Sequence, residues 1–530
     1  MCHENIISAQ PTTSESVSNQ KQTIGGVISS ESPNDISSTK RKGPKTMADT
    51  SDSDDVVQAK VESIEKVGDK ASVDFNFDQD PENPYNWPKW RKNVQLAAAA
   101  IVAFAGSVGT SIISPAHQQL IDEFGISSTV AFLPLTTYVL ALGLGPVIGG
   151  PLSETAGRKA VFIVAASVGG LFALGAGFTT SFAGLCVLRF FAGFAYGPSL
   201  SIGSGFLAET YTPAERGLPS LLWILSPFLG PGLGPVLGVF LVDRMGWRWT
   251  QFTLVFFSVF SLIWVLVGSE SYHPVIQRRR MKQLGLTPPD SPPLADTLRQ
   301  FLTTGLVRPL HMMVTEPIVG LLCLYVAFIF GVLFNFFGAF FYIFEHVYGF
   351  TLVQSGLVFL AVALGCVIGA INIWLCGKLF YQPQVRRFPP HQVPPEYRLL
   401  PAMIGSVALP ISIFILAWTT RPSISSAVPI LAIVIFSVGN INLFVSALQY
   451  IGDVYHRSNV ASATSANSLA RYGLAAVFPL FSLQLYENLG VAWASSLLGF
   501  ISVALFPLPW LLYKFGRTIR SKSKYQTATY

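Results

Sequence analysis

The chain has 530 residues, of which 51% are hydrophobic and only 12% are charged. A soluble globular protein uses more charge than this, so the composition excludes a string of soluble domains and predicts an all-α polytopic membrane protein. The net charge of +6 is dispersed over short loops, so a nucleic acid is not an expected partner. The five cysteines show no CxxC spacing and no adjoining histidine cluster, and we therefore expect neither disulfides nor a metal site.

The first part of the chain is polar. Residues 1–82 are rich in Ser, Thr, Asp, Lys and Gln and contain too few apolar side chains to fold alone, so we predict a disordered cytoplasmic N-terminal tail. Residues 83–92 combine basic and aromatic side chains of the kind that lie at the headgroup level of a bilayer. We expect the chain to enter the membrane there.

Twelve apolar runs follow, each close to the roughly 20 residues that a helix needs to cross a bilayer. They lie at about 94–114, 130–149, 160–178, 182–207, 218–242, 252–268, 318–344, 353–376, 399–418, 428–450, 461–485 and 491–513. We predict twelve transmembrane helices in two pseudo-symmetric six-helix bundles, 83–268 and 316–516, joined by a cytoplasmic linker, 269–315, and followed by a short basic cytoplasmic tail, 517–530. The basic residues of the loops lie almost entirely on one side, with Arg244, Arg248 and Arg421 as exceptions, so both termini are predicted to be cytoplasmic.

A charged loop joins the second and third runs, and the rest of the chain is organised around it. This loop, residues 150–159, has the sequence GPLSETAGRK, in which Gly150 and Gly157 permit a tight turn at the membrane surface. Glu154, Arg158 and Lys159 supply charges that stay hydrated there. Glu209, at the cytoplasmic end of the fourth run, is expected to reach Arg158 and to form a three-member charge cluster with Glu154. Ordinary surface salt bridging is the alternative interpretation.

The loop resembles the signature between helices 2 and 3 of the major facilitator superfamily, G-x-x-x-(D/E)-x-x-G-R-(K/R). The resemblance implies that the cluster acts as a conformational latch. A faint internal repeat supports two related halves, because LAETY at residues 207–211 recurs as IGDVY at 451–455. The counterpart of the signature after the eighth run is Gly377-Lys378, with Trp374 at the acidic position, so we expect a weaker charge switch in the second half.

The fifth run carries glycines four residues apart, Gly230, Gly234 and Gly238, with Pro235 beside them. Such a face lets a neighbouring helix approach closely, and a plain packing motif is one interpretation. The segment also resembles the fifth-helix motif of the drug:proton antiporter branch of the same superfamily, G-x-x-x-G-P-x-x-G-G, although Val239 replaces the last glycine. The resemblance implies an antiporter.

Two arginines lie at membrane depth. Arg189, in the fourth run, resembles the R-x-x-x-G motif of the antiporter branch, which implies a role in proton coupling. A side chain that extends to the outer interface is the alternative. Arg471 lies well inside the eleventh run and could pair with backbone carbonyls or with a substrate acid.

No Asp or Glu lies at the centre of any run, so the sequence offers no evident proton carrier. Aromatic and amide residues are the candidates for a substrate cavity, which we expect to favour neutral or weakly acidic, largely apolar molecules. The predicted cavity residues are Tyr325, Asn335, Phe337, Asn440, Asn467 and Arg471.

The region 83–524 resembles fungal-type twelve-helix drug:proton antiporters. The resemblance implies export of hydrophobic organic compounds across the plasma membrane, driven by the proton gradient without a cofactor, by a monomer whose partners are the small-molecule substrate, protons and the lipid bilayer. A proton-coupled uptake symporter for a nutrient and a non-transporting membrane sensor are the alternatives. An enzyme is not expected, since no nucleophile and base pair, metal spacing or phosphate-binding glycine loop stands out.

Overall fold

The computed structural model describes residues 77–212, 215–285, 301–389, 393–525 and 527. Residues 1–76 of the predicted N-terminal tail and residues 286–300 of the predicted linker lie outside this part of the chain. Within the described residues the structure is helical, and its β-structure is an isolated bridge between Tyr455 and Thr527. The fold is therefore all-α, as the composition predicts.

The α-helices follow one another through short connections. They are α1 Lys89–Val108, α2 His117–Phe124, α3 Leu133–Ala156, α4 Arg158–Phe178, α5 Phe182–Thr210, α6 Gly217–Met245, α7 Arg248–Val267, α8 His273–Gln283, α9 Arg308–Thr315, α10 Pro317–Tyr348, α11 Leu352–Leu357, α12 Leu360–Cys376, α13 Gln382–Arg387, α14 Leu400–Thr419, α15 Ala427–Val454, α16 Arg457–Leu505 and α17 Leu508–Arg520. Short 3₁₀ segments precede α1, α2, α3 and α14, and π-helical turns precede α9 and α13.

Proline, glycine and polar caps set the helix ends. Helix α10 begins with Pro317, whose missing N–H is not needed in the first turn, and ends at Gly349 with φ 67°. Helix α11 starts with a capping box in which Thr351 and Gln354 bond each other's backbone N–H groups. Within α16, Gly490 has φ 71° and ψ 162°, which interrupts the helix and divides it into two parts.

Ten described segments are long and apolar enough to cross a membrane. Helix α1 is not among these ten segments, and the last of them, Asn459–Arg520, spans both α16 and α17. The structure is thus that of a multi-pass membrane protein.

The helices form two groups, which we call the first group (α1–α7) and the second group (α10–α17). Small residues allow close packing inside each group. A Cβ atom added to Gly106 of α1 would lie 2.9 Å from the Cβ atom of Tyr196 on α5, and one added to Gly405 of α14 would lie 2.7 Å from the carbonyl oxygen of Gly439 on α15. Any larger side chain would push these helices apart.

The two groups contact each other from mid-span to one end. We call the end that carries the loop 150–159 the signature end and the other the opposite end. Near the opposite end, Thr136 of α3 donates a hydrogen bond of 2.8 Å to the carbonyl of Ala476 on α16. At mid-span, a Cβ atom added to Gly232 of α6 would lie 2.9 Å from the backbone nitrogen of Ala363 on α12. The helices of the two groups therefore pack tightly from mid-span to the opposite end.

Residues 77–82, which the composition assigns to the tail, pack on the signature end of the first group. The buried Asp80 accepts a hydrogen bond of 3.1 Å from Arg280 of α8. Tyr85 donates a hydrogen bond of 2.6 Å to the carbonyl of Ala208. The ring of His273, at the start of α8, contacts those of Phe77 and Tyr85. Residues 77–85 therefore link α8 to α5.

A buried carboxylate performs a similar task in the second group. Glu316, just before α10, is 1% exposed and accepts hydrogen bonds from the hydroxyls of Tyr455 (3.1 Å) and Ser523 (2.6 Å) and from the backbone nitrogen of Lys524 (2.9 Å). We call these contacts the Glu316 clamp. They join the start of α10, the end of α15 and the segment after α17.

Candidate functional site

The predicted loop 150–159 is largely helical, because α3 continues to Ala156 and α4 begins at Arg158, so only Gly157 lies between the two helices. Arg158, at the start of α4, forms a tight ion pair with α5. Arg158 Nη2 donates to Glu209 Oε1 over 2.7 Å, and Arg158 Nε donates to Glu209 Oε2 over 3.3 Å. The Arg158 guanidinium also bonds the Ser153 hydroxyl and lies 4.8 Å from the ring centroid of Tyr272. Two parallel bonds between a guanidinium and a carboxylate fix both distance and orientation. Both partners belong to the first group, so the pair joins α4 to α5.

Glu270 caps α4 beside this pair. Its carboxylate accepts hydrogen bonds from the backbone nitrogens of Arg158 (2.9 Å) and Lys159 (3.1 Å), which are donors at the start of the helix. Gly157 has φ 92°, and a Cβ atom there would collide with the same carboxylate. Lys159 Nζ in turn donates to the carbonyls of Leu266 (3.0 Å) and Gly268 (2.7 Å) at the end of α7.

Glu154 lies at the edge of this arrangement. The residue is exposed. Burial raises the pKa of the nearby Tyr272 hydroxyl, and the negative charge of Glu154 raises it further. Gly150 lies one turn earlier inside α3, so the turn predicted at Gly150 is absent, and the chain turns at Gly157 instead. A Cβ atom added to Gly150 would have open space around it. The structure therefore brings Arg158, Lys159 and Glu209 together with Glu270, while Glu154 faces solvent.

The second group contains an equivalent pair. Asp453, which the repeat aligns with Glu209, accepts a hydrogen bond of 2.8 Å from Nε of Arg398, which lies in the 3₁₀ segment just before α14. The Arg398 guanidinium lies 3.6 Å from the ring centroid of Tyr381. The sequence comparison pointed instead to Lys378, which is exposed and lies 5.2 Å from the ring centroid of Trp374. The basic partner in this half comes from the segment just before the next long helix, much as Arg158 comes from the start of α4 in the first half.

The glycine face of α6 lies against the end of α1 and the turn that follows it. A Cβ atom on Gly230 would lie 2.6 Å from Ser107 Cβ, one on Gly234 would collide with the Ser111 hydroxyl, and one on Gly238 would collide with the Ile112 carbonyl. The Ser111 hydroxyl donates a hydrogen bond of 3.3 Å to the carbonyl of Gly230. Pro235 is buried on the same helix. The glycines thus permit direct backbone contact between the two helices.

Arg189 is fully buried and does not extend to the outer interface. Its guanidinium donates three hydrogen bonds: Nε to the Pro134 carbonyl (2.7 Å), Nη1 to Gln251 Oε1 (3.0 Å) and Nη2 to the Gly109 carbonyl (2.6 Å). The ring of Tyr138 covers its face at 4.8 Å. These contacts connect α5 to α3, to α7 and to the end of α1, and each described acceptor is neutral.

A cavity of about 240 Å³ lies between the two groups, from mid-span toward the signature end. Its lining comes from helices of both groups and is largely aromatic and apolar, with hydroxyl, amide and guanidinium groups among the rings. The lining residues are Ser107, Thr110, Pro146, Leu200, Ser201, Trp223, Ile224, Pro227, Phe228, Pro231, Phe330, Leu333, Phe334, Phe444, Leu448, Gly452, Val460, Thr464, Ser465, Asn467, Ser468, Arg471 and Tyr472. None of these described residues is an acid.

Two of the six predicted cavity residues, Asn467 and Arg471, line this cavity. The others are buried elsewhere. Asn335 donates to the Tyr486 hydroxyl over 3.4 Å, and Asn440 donates to the Ile329 carbonyl over 2.9 Å. Phe337 stacks on Phe359 with ring centroids 5.7 Å apart, and Tyr325 lies in the apolar core. The side chains of Asn335 and Asn440 thus hydrogen-bond to neighbouring helices and do not line the cavity.

The sequence analysis did not single out several rings that form the cavity wall. Trp223 and Phe228 come from α6, and Phe444 and Tyr472 from the second group. Pro227 and Pro231, which also line the cavity, were the available signal on α6, because a proline inside a helix removes a backbone hydrogen bond.

A charged contact also holds the opposite end of the first group. Arg248 Nη2, at the start of α7, lies 2.6 Å from Glu123 Oε1 at the end of α2, and Trp247 Nε1 donates to Glu123 Oε2 over 2.7 Å. The hydrogen bond from Arg248 holds the pKa of the Glu123 carboxyl below its usual value.

Comparison with known proteins identifies the family. A sequence profile described as the Major Facilitator Superfamily matches residues 99–479. Polyamine transporter 4 of Saccharomyces cerevisiae is 34% identical over 486 residues, which cover 86% of this chain and 73% of that protein. MFS-type transporter traF of Penicillium crustosum is 36% identical over 456 residues (86% and 93%), and Efflux pump FUBT of Fusarium oxysporum is 36% identical over 469 residues (86% and 78%).

Among solved structures, the proton:xylose symporter XylE, bound to 6-bromo-6-deoxy-D-glucose, superposes with a TM-score of 0.58 at 14% sequence identity, covering 81% of this chain and 96% of that one. This likeness shows a shared fold. The profile and the relatives confirm the prediction of a major facilitator efflux transporter for organic compounds. The chain belongs to the major facilitator superfamily.

Proposed function

We propose that this transporter exports hydrophobic organic compounds across the plasma membrane by alternating access, driven by inward proton flow and without a cofactor. The central cavity carries the proposal. It lies between two helix groups, takes its lining from both, and extends toward the signature end. The groups pack together from mid-span to the opposite end. Rocking of two groups around a site between them is the expected cycle for such an arrangement.

The proposed topology is twelve spans with both termini in the cytoplasm, acting as a monomer. Two features support twelve spans beyond the ten most apolar segments. Helix α1 is long enough to cross most of a bilayer and packs closely against α6. The break at Gly490 divides α16 into two parts, the second of which continues through α17 as the twelfth span. The basic loops of the signature end would face the cytoplasm.

We assign the role of conformational latch to the cluster around Arg158. The pair with Glu209 lies inside the first group, so it would act by fixing the shape of that group's signature end, not by bridging the groups. Arg398 and Asp453 do the same for the second group. Small differences in these energies suffice to shift two nearly balanced transport states.

We assign proton coupling to Arg189. Its three hydrogen bonds tie together the helices that meet near the opposite end of the first group, including the point where α1 ends and the chain turns at Gly109. Opening of that end would have to rearrange this network. A change in local charge during proton passage would alter the strength of the same bonds.

The proposed substrates are neutral or weakly acidic, largely apolar molecules. The first relative named above is a polyamine transporter, which makes multiply charged cations the competing class. A polyamine needs acidic partners in its path, because the removal of water from several charges costs many kcal/mol. The described residues that line the cavity include aromatic rings and an arginine but no Asp or Glu, so they do not provide these acidic partners.

The test is an efflux assay in a host that lacks its own drug pumps, with the chain located by microscopy. Cells are loaded with matched neutral, anionic and dicationic aromatic compounds, with and without a protonophore. We expect protonophore-sensitive efflux of the neutral and anionic members from cells with the protein at their surface. Net uptake would indicate the symporter, and no flux for any compound would contradict transport. Preferential export of spermidine-like cations would contradict the substrate class.

A further inference from the structure

Arg471 lies in an unusual environment inside the cavity. Its guanidinium carbon is 4.7 Å from the ring centroid of Phe330, 4.5 Å from that of Phe444 and 4.2 Å from that of Tyr472. The residue is 8% exposed and lines the cavity wall. Three rings thus surround the cation and hold it near mid-span, where it contributes a full positive charge to an otherwise apolar cavity.

The charge of Arg471 has no counterpart in the described part of the chain. No hydrogen bond or ion pair to its guanidinium occurs there, and its Nε atom is buried without a partner. Arg189 is a useful contrast, since it is equally buried but donates three hydrogen bonds to neutral oxygens. A buried cation is normally paired or hydrogen-bonded, because its desolvation costs several kcal/mol.

A second unpartnered donor lies beside the first. Asn467 precedes Arg471 by four residues on α16, so the two side chains lie on the same helix face. Asn467 is 2% exposed and lines the cavity, and its Nδ2 atom also lacks a partner. The cavity therefore presents a guanidinium and an amide N–H group on one face, both without an acceptor.

We propose that Arg471 and Asn467 bind the carboxylate of an apolar, aromatic organic acid, so that the transporter selects monoanions over neutral and cationic analogues. This inference rests on the proposed function and narrows its substrate class. A planar guanidinium bonds a carboxylate through two parallel N–H groups, and the Asn467 amide supplies a further donor.

The rest of the cavity fits the body of such a molecule. Phe228 of α6 contacts Phe330 and Phe444 of the second group, with ring centroids 5.7 and 5.0 Å apart. Trp223 also lines the cavity, and aromatic walls of this kind bind flat apolar ligands. The described residues that line the cavity carry one positive charge, that of Arg471, and no carboxylate, so the cavity matches a ligand with a single negative charge. A protonated amine placed against Arg471 would meet a like charge in a poorly hydrated site, which opposes binding.

Direct binding to the purified full-length protein tests this proposal, with calorimetry as the readout and no membrane gradient. The probes are 1-naphthoate, 1-naphthamide and 1-naphthylmethylamine, which share a ring system and differ in charge. We expect 1-naphthoate to bind wild type at least about tenfold more tightly than the amide, a difference equivalent to ~1.4 kcal/mol, and the amine to bind most weakly.

The variants separate charge from fold. Arg471→Gln should remove the preference for naphthoate, because the affinity for naphthoate should fall much more than that for naphthamide. Asn467→Leu should reduce the preference in part. Arg471→Lys, which keeps the charge but not the planar fork, should retain an intermediate preference and provides the measurement if the glutamine variant does not fold. Arg421→Gln, at an exposed arginine far from the cavity, is the matched control and should bind all three probes as wild type does.

Several results would overturn the proposal. These are equal affinity of wild type for naphthoate and naphthamide, an unchanged preference in Arg471→Gln, tightest binding of the amine, or competition by chloride as strong as that by naphthoate, which would indicate an inorganic anion site. Failure of the efflux assay with intact naphthoate binding would contradict the proposed function alone. Efflux of neutral aromatics without naphthoate binding would contradict the carboxylate site alone.

Discussion

Arg158 and Glu209 share two hydrogen bonds, of 2.7 and 3.3 Å, across the signature ends of α4 and α5. The side chains are 9% and 16% exposed, so the pair is far less hydrated than an ordinary surface salt bridge. Surface pairs contribute under about 1 kcal/mol, whereas loss of one partner of a buried pair costs ~3–5 kcal/mol. The energetic importance of this contact therefore exceeds what its place at a membrane surface suggests.

We expect Arg158→Ala to reduce efflux at least about tenfold at equal surface expression, which corresponds to ~1.4 kcal/mol in the transport barrier. The substitution leaves the Glu209 carboxylate buried without its cation. Glu154→Ala is the control, with a smaller loss expected because Glu154 faces solvent. The measurement is efflux of a fluorescent aromatic compound divided by surface protein. Normal efflux in Arg158→Ala would mean that the pair is not a latch.

The glycine face of α6 gives a second prediction. Gly234→Leu should lower both surface level and thermal stability, because even a Cβ atom there collides with the Ser111 hydroxyl in the turn after α1. Overpacking costs about 1–3 kcal/mol when side chains can adjust, and backbone contact leaves little room for adjustment. Gly217→Ala, at the start of the same helix with open space around it, should behave as wild type. A wild-type melting temperature for Gly234→Leu would show that α1 and α6 do not pack this closely.

Arg189 can be tested through coupling. We expect Arg189→Ala to abolish the protonophore-sensitive part of efflux, because the guanidinium holds three acceptors on three different segments. Arg189→Lys should restore only part of it, since an ammonium group lacks the planar fork that reaches them together. The readout is the ratio of efflux with and without protonophore, normalised to folded protein at the surface. Full protonophore-sensitive efflux in the alanine variant would exclude the proposed role.

The contact between Glu123 and Arg248 predicts a dependence of stability on pH. Arg248 depresses the pKa of Glu123 in the folded protein, so the folded state is favoured above the ordinary glutamate pKa of about 4.3 and loses this contribution as the pH falls through the depressed value. Both side chains are more than a third exposed, and solvent screening limits the contribution to under about 1 kcal/mol.

Thermal melting of the purified protein between neutral pH and about pH 3 would measure this effect, since the window lies below the ordinary glutamate pKa of about 4.3. Glu123→Gln should be slightly less stable than wild type at neutral pH, and the difference should vanish at acid pH. A difference that stays constant over the whole range would show that the pair is not the source.

The predicted apolar runs fall on helices of the described chain because length and apolarity are local properties. It placed Arg158 near Glu209 because a short loop and a helix end must meet at the same membrane surface. The cavity was harder to predict. Helix α10 is apolar nearly all round, so its pattern does not indicate which face meets a ligand, and Asn335 and Phe337 turn out to face other helices.

The acidic partner in the second half could be read from the sequence, but the basic one could not. Asp453 repeats Glu209 at the same place in a related motif, whereas Arg398 belongs to no motif similar to the signature. Its position follows from the packing of α14 on α15, which depends on contacts distant in sequence. Likewise, the unpaired state of Arg471 depends on which residues of the neighbouring helices face it, a relationship with no local sequence signal.

The Glu316 clamp makes the segment after α17 a fixed part of the second group, just as the contact between Asp80 and Arg280 fixes α8 to the first. Paramagnetic labels at the exposed positions Lys522 and Arg279 would consequently report the separation of two rigid bodies, with little contribution from local motion of the labelled segments. The distribution of distances between the two labels would therefore measure how far the signature ends of the two groups move apart during turnover.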